Sequence, residues 1–182
     1  ALPIYYRLEY KDENEFIGNL LAEISLIKNS RIDIENFYSG VCGEEIFRDI
    51  YKKYETRLKE NRLIDFDDML SYTYELFKER PDILALWQNK YKYILIDEFQ
   101  DINRLQYEII KMLAAPQNNL FIVGDDDQSI YRFRGSKPEI MLGFEKDYPN
   151  AKRILLDTNY RCGRYIVEAS LNLISHNRER FD

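Results

Sequence analysis

The residues best suited to chemistry in this chain are carboxylates that come directly after short apolar runs. Ile94-Leu95-Ile96 leads into Asp97-Glu98-Phe99-Gln100-Asp101. A buried parallel strand releases whatever follows it into the crevice at the C-terminal edge of a sheet, where α/β proteins bind ligands. Adjacent acids placed there suit nucleotide hydrolysis. The first holds Mg²⁺, usually through coordinated water, and the next orients or deprotonates the attacking water. The same acids also suit a plainer task, capping a helix expected to begin near Asn103, because a helix start favours negative charge. Asp101 is assigned to that task, and for Asp97 and Glu98 both readings stand at this point.

A second segment, Gly124-Asp125-Asp126-Asp127-Gln128-Ser129-Ile130-Tyr131-Arg132-Phe133-Arg134-Gly135, follows the apolar run Leu120-Phe121-Ile122-Val123. Three consecutive acids repel one another unless solvated or close to a cation. A glutamine beside a metal site can hydrogen-bond a terminal phosphate. Tyr131 and Phe133 alternate with Arg132 and Arg134, which is the pairing that lets bases stack on rings while guanidinium groups meet phosphates. Alternation alone equally describes an edge strand with its rings inward and its cations outward. A third segment, Leu156-Asp157-Thr158-Asn159-Tyr160-Arg161, again lies just past an apolar run. An arginine there can reach a phosphoryl group and stabilise transferring charge.

The elements that must carry these residues follow from periodicity. Up to about residue 88 the pattern is helical. Phe16, Ile17, Leu20, Leu21, Ile24 and Ile27 recur at helical spacing, as do Ile46, Phe47, Ile50, Tyr51, Tyr54 and Leu58. A third helix is expected from an Asp65 N-cap through Phe77, and a short one beyond Pro81 through Leu84 and Trp87. After residue 90 strands alternate with helices. Strands are expected at residues 93–96, 120–123 and 153–156, and helices over 103–114, 137–147 and 163–177. That alternation predicts a parallel α/β sheet.

Composition bounds the partners. A chain of 182 residues with 45% hydrophobic and 14% aromatic content can build a core. No apolar run approaches the roughly 20 residues needed to cross a bilayer, so no membrane association is expected. Cys42 and Cys162 suggest neither a disulfide framework nor a metal cluster, and a reducing cytoplasmic setting fits. A net charge of −6 argues against coating nucleic acid through bulk charge. It leaves room for a local basic groove, and Arg132, Arg134 and Lys137 supply one stretch free of acids.

Taken together the three segments resemble the UvrD/Rep/PcrA family of superfamily 1 DNA helicases. Residues 96–101, 124–135 and 159–161 look like that family's motifs II, III and IV, in order. Asp65-Phe66-Asp67-Asp68-Met69-Leu70 resembles the acidic-aromatic segment the family carries ahead of motif II. The resemblance implies ATP and Mg²⁺ as cofactors, and single-stranded DNA and duplex junctions as partners. It implies that Asp97 binds Mg²⁺ and that Glu98 is the base for water. Gln100 and Gln128 would sense the γ-phosphate and link it to the DNA site. Tyr160 would stack on adenine, and Arg161 would act as an arginine finger. Tyr131 and Phe133 would contact bases, with Arg134 on the backbone or bracing the loop. Many relatives carry Trp where Phe133 stands, and Phe still stacks. Asp65, Asp67 and Asp68 are read as capping and packing.

The implied fold is a partial RecA-like parallel sheet with flanking helices. Residues 1–60 would form a helical insertion subdomain, 61–157 the C-terminal half of the first RecA-like domain, and 158–182 the opening of the second. A phosphate-cradling loop needs glycines and a Lys-Ser/Thr pair, and none of the seven glycines is followed by Lys. The family's first motif would precede residue 1 and its last two would follow residue 182. The chain alone is therefore expected to be an inactive section of a 3′ to 5′ ATP-driven motor acting in repair or replication. Its exposed sheet edge is expected to invite self-association. Two other readings remain: a non-catalytic module that binds single-stranded DNA or protein, and the helicase part of a RecB-type helicase–nuclease. A metal-dependent nuclease would use the carboxylates but leave Gln128, Tyr160 and Arg161 without a task.

Overall fold

The computed structural model of the chain describes residues 12–129 and 138–176. Tyr131, Phe133 and Arg134 lie outside the described residues, as does the basic stretch around them. The described residues are mostly helical, with one small two-stranded parallel sheet. They group into two compact units. One holds the residues up to Ile94 together with Asn103–Asn119, and the other holds Leu95–Ile102 together with the residues from Leu120 onward.

Among its described residues the first unit holds five α-helices. α1 (Glu13–Ser30) starts at Asp12, whose carboxylate accepts the N–H groups of Asn14 and Glu15, and stops at Arg31 in the left-handed region. Its buried residues Phe16, Leu20, Ile24 and Ile27 form one stripe, which packs on Phe47 and Ile50 of α2 (Glu44–Glu60). α3 (Phe66–Glu79) opens with a capping box between Asp65 and Asp68, so the expected Asp65 cap is present. α4 (Pro81–Lys90) has Pro81 in its first turn, where the missing N–H costs nothing. α5 (Arg104–Ala114) places Leu105 and Ile109 against Phe77 of α3, making a second core that Ile83 and Leu84 of α4 extend. The cap of α5 is Asn103, in a capping box with Gln106, and not Asp101 as the sequence suggested. Asp101 sits one step earlier in a 3-10 turn, Phe99–Asp101, and its Oδ1 is buried.

The sheet pairs β1 (Ile94–Ile96) with β2 (Leu120–Ile122). Ile94 N–H donates to Asn119 O and Val123 N–H to Ile96 O, with residue numbers rising together along both strands, which is the parallel pattern. In the second unit, β2 is followed by a 3-10 turn Asp126–Gln128, then by α6 (Pro138–Leu142), α7 (Phe144–Asp147) and α8 (Arg164–Ile174). One helix expected over 137–147 is thus two short ones divided at Gly143. The strand expected at 153–156 is not formed. Residues 151–159 carry no strand ladder, and Ile154, Leu155 and Leu156 are 77%, 83% and 82% exposed. An apolar run becomes a strand only where a neighbouring ladder pairs its backbone, and none of the described residues does so.

Candidate functional site

A run of polar contacts lies within the second unit, where the chain leaves β1 and β2. Asp97 and Glu98 follow β1 directly, and both are exposed. Asp97 Oδ1 accepts the Glu98 N–H at 3.0 Å. Glu98 has φ of 50°, in the left-handed region. A non-glycine residue held there carries backbone strain that the surroundings must enforce. Phe99 N–H then ties the turn back to β2 by donating to Val123 O at 2.9 Å. Phe99 itself is 1% exposed and meets Phe144 edge-on, with ring centroids 5.6 Å apart.

Gln100 is the hub. It is 1% exposed. Its Nε2 donates to Glu98 Oε2 at 2.7 Å, and its Oε1 accepts the backbone N–H of Asp125 at 3.1 Å. Asp125 in turn accepts twice, from Gln128 Nε2 at 2.7 Å and from the Asp127 N–H at 3.1 Å. One continuous run of hydrogen bonds therefore joins Glu98, Gln100, Asp125 and Gln128 across two neighbouring strands. Of the three consecutive acids, Asp125 spends its charge as an acceptor inside this run. Gly124 makes the approach possible, since a Cβ there would lie 2.7 Å from Gln100 Oε1 and 3.2 Å from Phe99 N.

Tyr160 and Arg161 sit on a separate exposed turn. Asn159 Oδ1 accepts the N–H groups of Arg161 and Cys162, each at 2.9 Å, and α8 begins two residues later. Tyr160 is 94% exposed. No described hydrogen bond or ion pair joins this turn to Asp97, Glu98, Gln100 or Gln128.

Among the described residues no group of three or more His, Cys, Asp or Glu side chains is arranged to hold a metal ion. Mg²⁺ carried on a nucleotide would need only one or two protein carboxylates, since it keeps its water and phosphate ligands. Asp97 fits as such a single ligand. It is exposed at the strand end, and no described hydrogen bond falls on its Oδ2.

Sequence reasoning missed a polar cluster in the first unit. Lys28 Nζ, on a side chain 4% exposed, contacts Glu55, Asp65 and Asp68 at 2.7, 2.7 and 2.8 Å. Tyr54 donates its hydroxyl to Asp65 Oδ2. Burial works to lower the Lys28 pKa, and its hydrogen bonds to Asp65, Asp68 and Glu55 outweigh that and raise it. Asp65 is held below the usual carboxylate range. Burial pushes it upward, but Lys28, the Asp68 N–H and Tyr54 together prevail. Next to Lys28, Asn29 donates to Asp67 at 2.7 Å and accepts from Asn103 at 3.0 Å, so it ties α1 and α3 to the cap of α5. The signal was available, because Lys28 falls four residues after Ile24 on the buried stripe of α1.

Acids and glutamines thus leave two adjacent parallel strands in one hydrogen-bonded run, within an α/β arrangement. The family described as "UvrD/REP helicase N-terminal domain" matches residues 6–149. The chain belongs to the UvrD/Rep helicase family. Among individual proteins it is 49% identical over 172 residues to Bacillus subtilis YjcD, which bears the provisional name of an ATP-dependent DNA helicase; the match covers 93% of this chain and 22% of that protein. It is 44% identical over 165 residues to the ATP-dependent DNA helicase PcrA of Bacillus subtilis, covering 89% of this chain and 22% of PcrA. The PcrA of Staphylococcus epidermidis is 41% identical over 164 residues, 90% of this chain and 22% of that protein. The chain thus spans about a fifth of the length of these curated relatives. No helix among the described residues is long and apolar enough to cross a membrane.

Proposed function

We propose that the intact protein is a cytoplasmic, ATP-driven helicase that moves 3′ to 5′ along single-stranded DNA, engages duplex junctions and serves DNA repair or replication. The observation that carries this reading is the run of hydrogen bonds joining Glu98 to Gln128 across two parallel strands. A motor must link the group that activates water to a group that reads the terminal phosphate, and this run is such a link. The family membership and the names of the similar proteins support the same reading.

In it, Asp97 holds Mg²⁺, which supplies positive charge against the phosphates. Glu98 orients the attacking water and accepts its proton. Gln128, exposed at the end of the run, donates to the terminal phosphate, and Gln100 connects the two. Arg161 offsets charge on the transferring phosphoryl group, and Tyr160 stacks on adenine. Tyr131 and Phe133 hold bases while Arg134 meets the backbone. The separate core shared by α1 and α2 supports reading residues 1–60 as a helical insertion. Residues 61–157 then belong to the first RecA-like domain and 158–182 to the second. This chain by itself is proposed to be inactive, because no glycine in it precedes a lysine of a phosphate-cradling loop.

DNA-stimulated ATPase activity tests the reading, measured for this chain beside a protein extended at both ends until that loop is included. The extended protein is expected to hydrolyse ATP and to be silenced by Glu98→Gln, while the chain alone stays inert. An extended protein that binds single-stranded DNA but never hydrolyses ATP would make this a binding module and remove every catalytic role above.

A further inference from the structure

We propose that Gln100 is a positioning residue for Glu98, whose amide fixes the carboxylate to the backbone of the neighbouring loop, and that it does not itself meet the phosphate. The proposal rests on Glu98 being the base for water.

The chemistry of its partners sets the orientation of the amide. The Asp125 N–H can only donate, so it must face Oε1; the Glu98 carboxylate can only accept, so it must face Nε2. Gln100 is 1% exposed, with both ends of its amide engaged inside the protein. A group that read a phosphate directly would need a donor turned to the cleft. Glu98 is in the opposite position. It is exposed, it leaves the strand on a left-handed residue, and the only described side-chain bond to its carboxylate is the one from Gln100 to Oε2. Oε1 is thereby left for another donor. A carboxylate on a flexible two-carbon stem gains most from one fixed oxygen, since a general base acts only when held within hydrogen-bond reach of its proton. Among side chains of similar length, ionised Glu lacks the donor, Leu and Met lack an N–H donor, and Asn is one methylene short.

Gly124 gives an independent handle. A methyl group there would stand 2.7 Å from Gln100 Oε1 and 3.1 Å from Met141 Sδ, so Gly124→Ala displaces the amide without altering it.

The test uses the intact, loop-containing protein and measures kcat and KM for ATP, the affinity for a fluorescent ADP analogue, and the thermal midpoint. Gln100→Met and Gln100→Glu are expected to lower kcat by about 10²-fold, the scale of a small misplacement of a reacting group. KM for ATP and ADP affinity should stay within about twofold, since the substrate contacts themselves are not removed. Gly124→Ala should lower kcat in the same direction. In a Glu98→Gln background, which lacks steady-state turnover, the slow residual hydrolysis resolved in a single turnover should show no further loss from Gln100→Met, because residues acting as one unit are not additive. A raised KM with kcat retained would overturn the proposal in favour of direct phosphate contact. A full further loss in the Glu98→Gln background would overturn it in favour of a role apart from Glu98, and unchanged kcat in both Gln100 variants would end it. An active Glu98→Gln protein is a different failure, since it removes the base itself. If Gln100→Met does not fold, Gln100→Glu and Gly124→Ala carry the same comparisons.

Discussion

Tyr160 and Arg161 commit nothing but backbone to the described fold: their turn is held by Asn159, and the Tyr160 ring is almost wholly solvated. Replacing either side chain should therefore change nucleotide chemistry and leave stability alone. In the intact protein, Arg161→Ala is expected to lower kcat by about 10³-fold or more, as loss of an arginine finger does, with an unchanged thermal midpoint. Tyr160→Ala should raise KM for ATP by roughly 2- to 10-fold, as stacking worth about 0.5–1.5 kcal/mol implies, and Tyr160→Phe should restore it. A midpoint that drops while kcat holds would show that the turn is structural. At this scale the placement of Asp97 and Glu98 directly past a strand was legible, because acids after a short apolar run mark a strand end; their chemical task belongs to the proposal. The partners of Gln100 were not legible. The Asp125 N–H lies 25 residues away, past the end of the other strand, and only the pairing of β1 with β2 brings it near. The glycine after the second apolar run was the available hint, because a strand that ends in Gly often admits something close to its backbone.

The helices are held by one unusually charged joint. Lys28 of α1 is enclosed by Glu55 of α2 and by Asp65 and Asp68 at the start of α3, so three elements share one buried cation. Lys28→Met would leave the carboxylates without their cation, and removing one partner of a buried ion pair costs about 3–5 kcal/mol. A drop of that order in unfolding free energy, from urea denaturation at pH 7, is the expected outcome; a loss under 1 kcal/mol (roughly the value of an exposed pair) would show that the joint is solvated. The same joint sets an acid limit. Asp65 is held below its unfolded value, so its contribution is complete above about pH 4, its ordinary range, and fades as pH falls through the lowered folded value. Asp65→Asn should therefore be less stable than the parent at pH 7, and the gap should narrow on going to pH 3. A gap independent of pH would mean that the carboxylate's charge plays no part. The helices were legible because each keeps its apolar residues three and four apart, and Asp65 because an acid before such a run is a cap. Residues 153–156 misled for the opposite reason. Strand formation is a property of pairs, and Arg153-Ile154-Leu155-Leu156 shows propensity without showing a partner.

On the scale of the whole chain, the second unit exposes much that a folded domain covers. Leu95 and Phe121, one on each strand, are 69% and 56% exposed, and Ile154, Leu155, Leu156, Tyr165 and Leu173 are each above 75%. Single exposed apolar residues are ordinary, but apolar surface beyond a few hundred Å² in one patch marks an interface or an aggregation site. The two-stranded sheet adds unpaired backbone groups at its edges, which template further strand pairing. The chain by itself should accordingly self-associate. In sedimentation velocity its average sedimentation coefficient is expected to rise with protein concentration, and Phe121→Lys combined with Leu155→Lys should suppress the rise by placing charge on both apolar segments. The extended, loop-containing protein should sediment without that dependence if the added sequence covers these residues. A chain that remains monomeric at the highest concentration would show that the second unit rearranges to bury its apolar side chains, and a concentration dependence untouched by the two lysines would move the contact to the first unit, where Phe66 at 85% and Leu86 at 68% exposure are the next candidates.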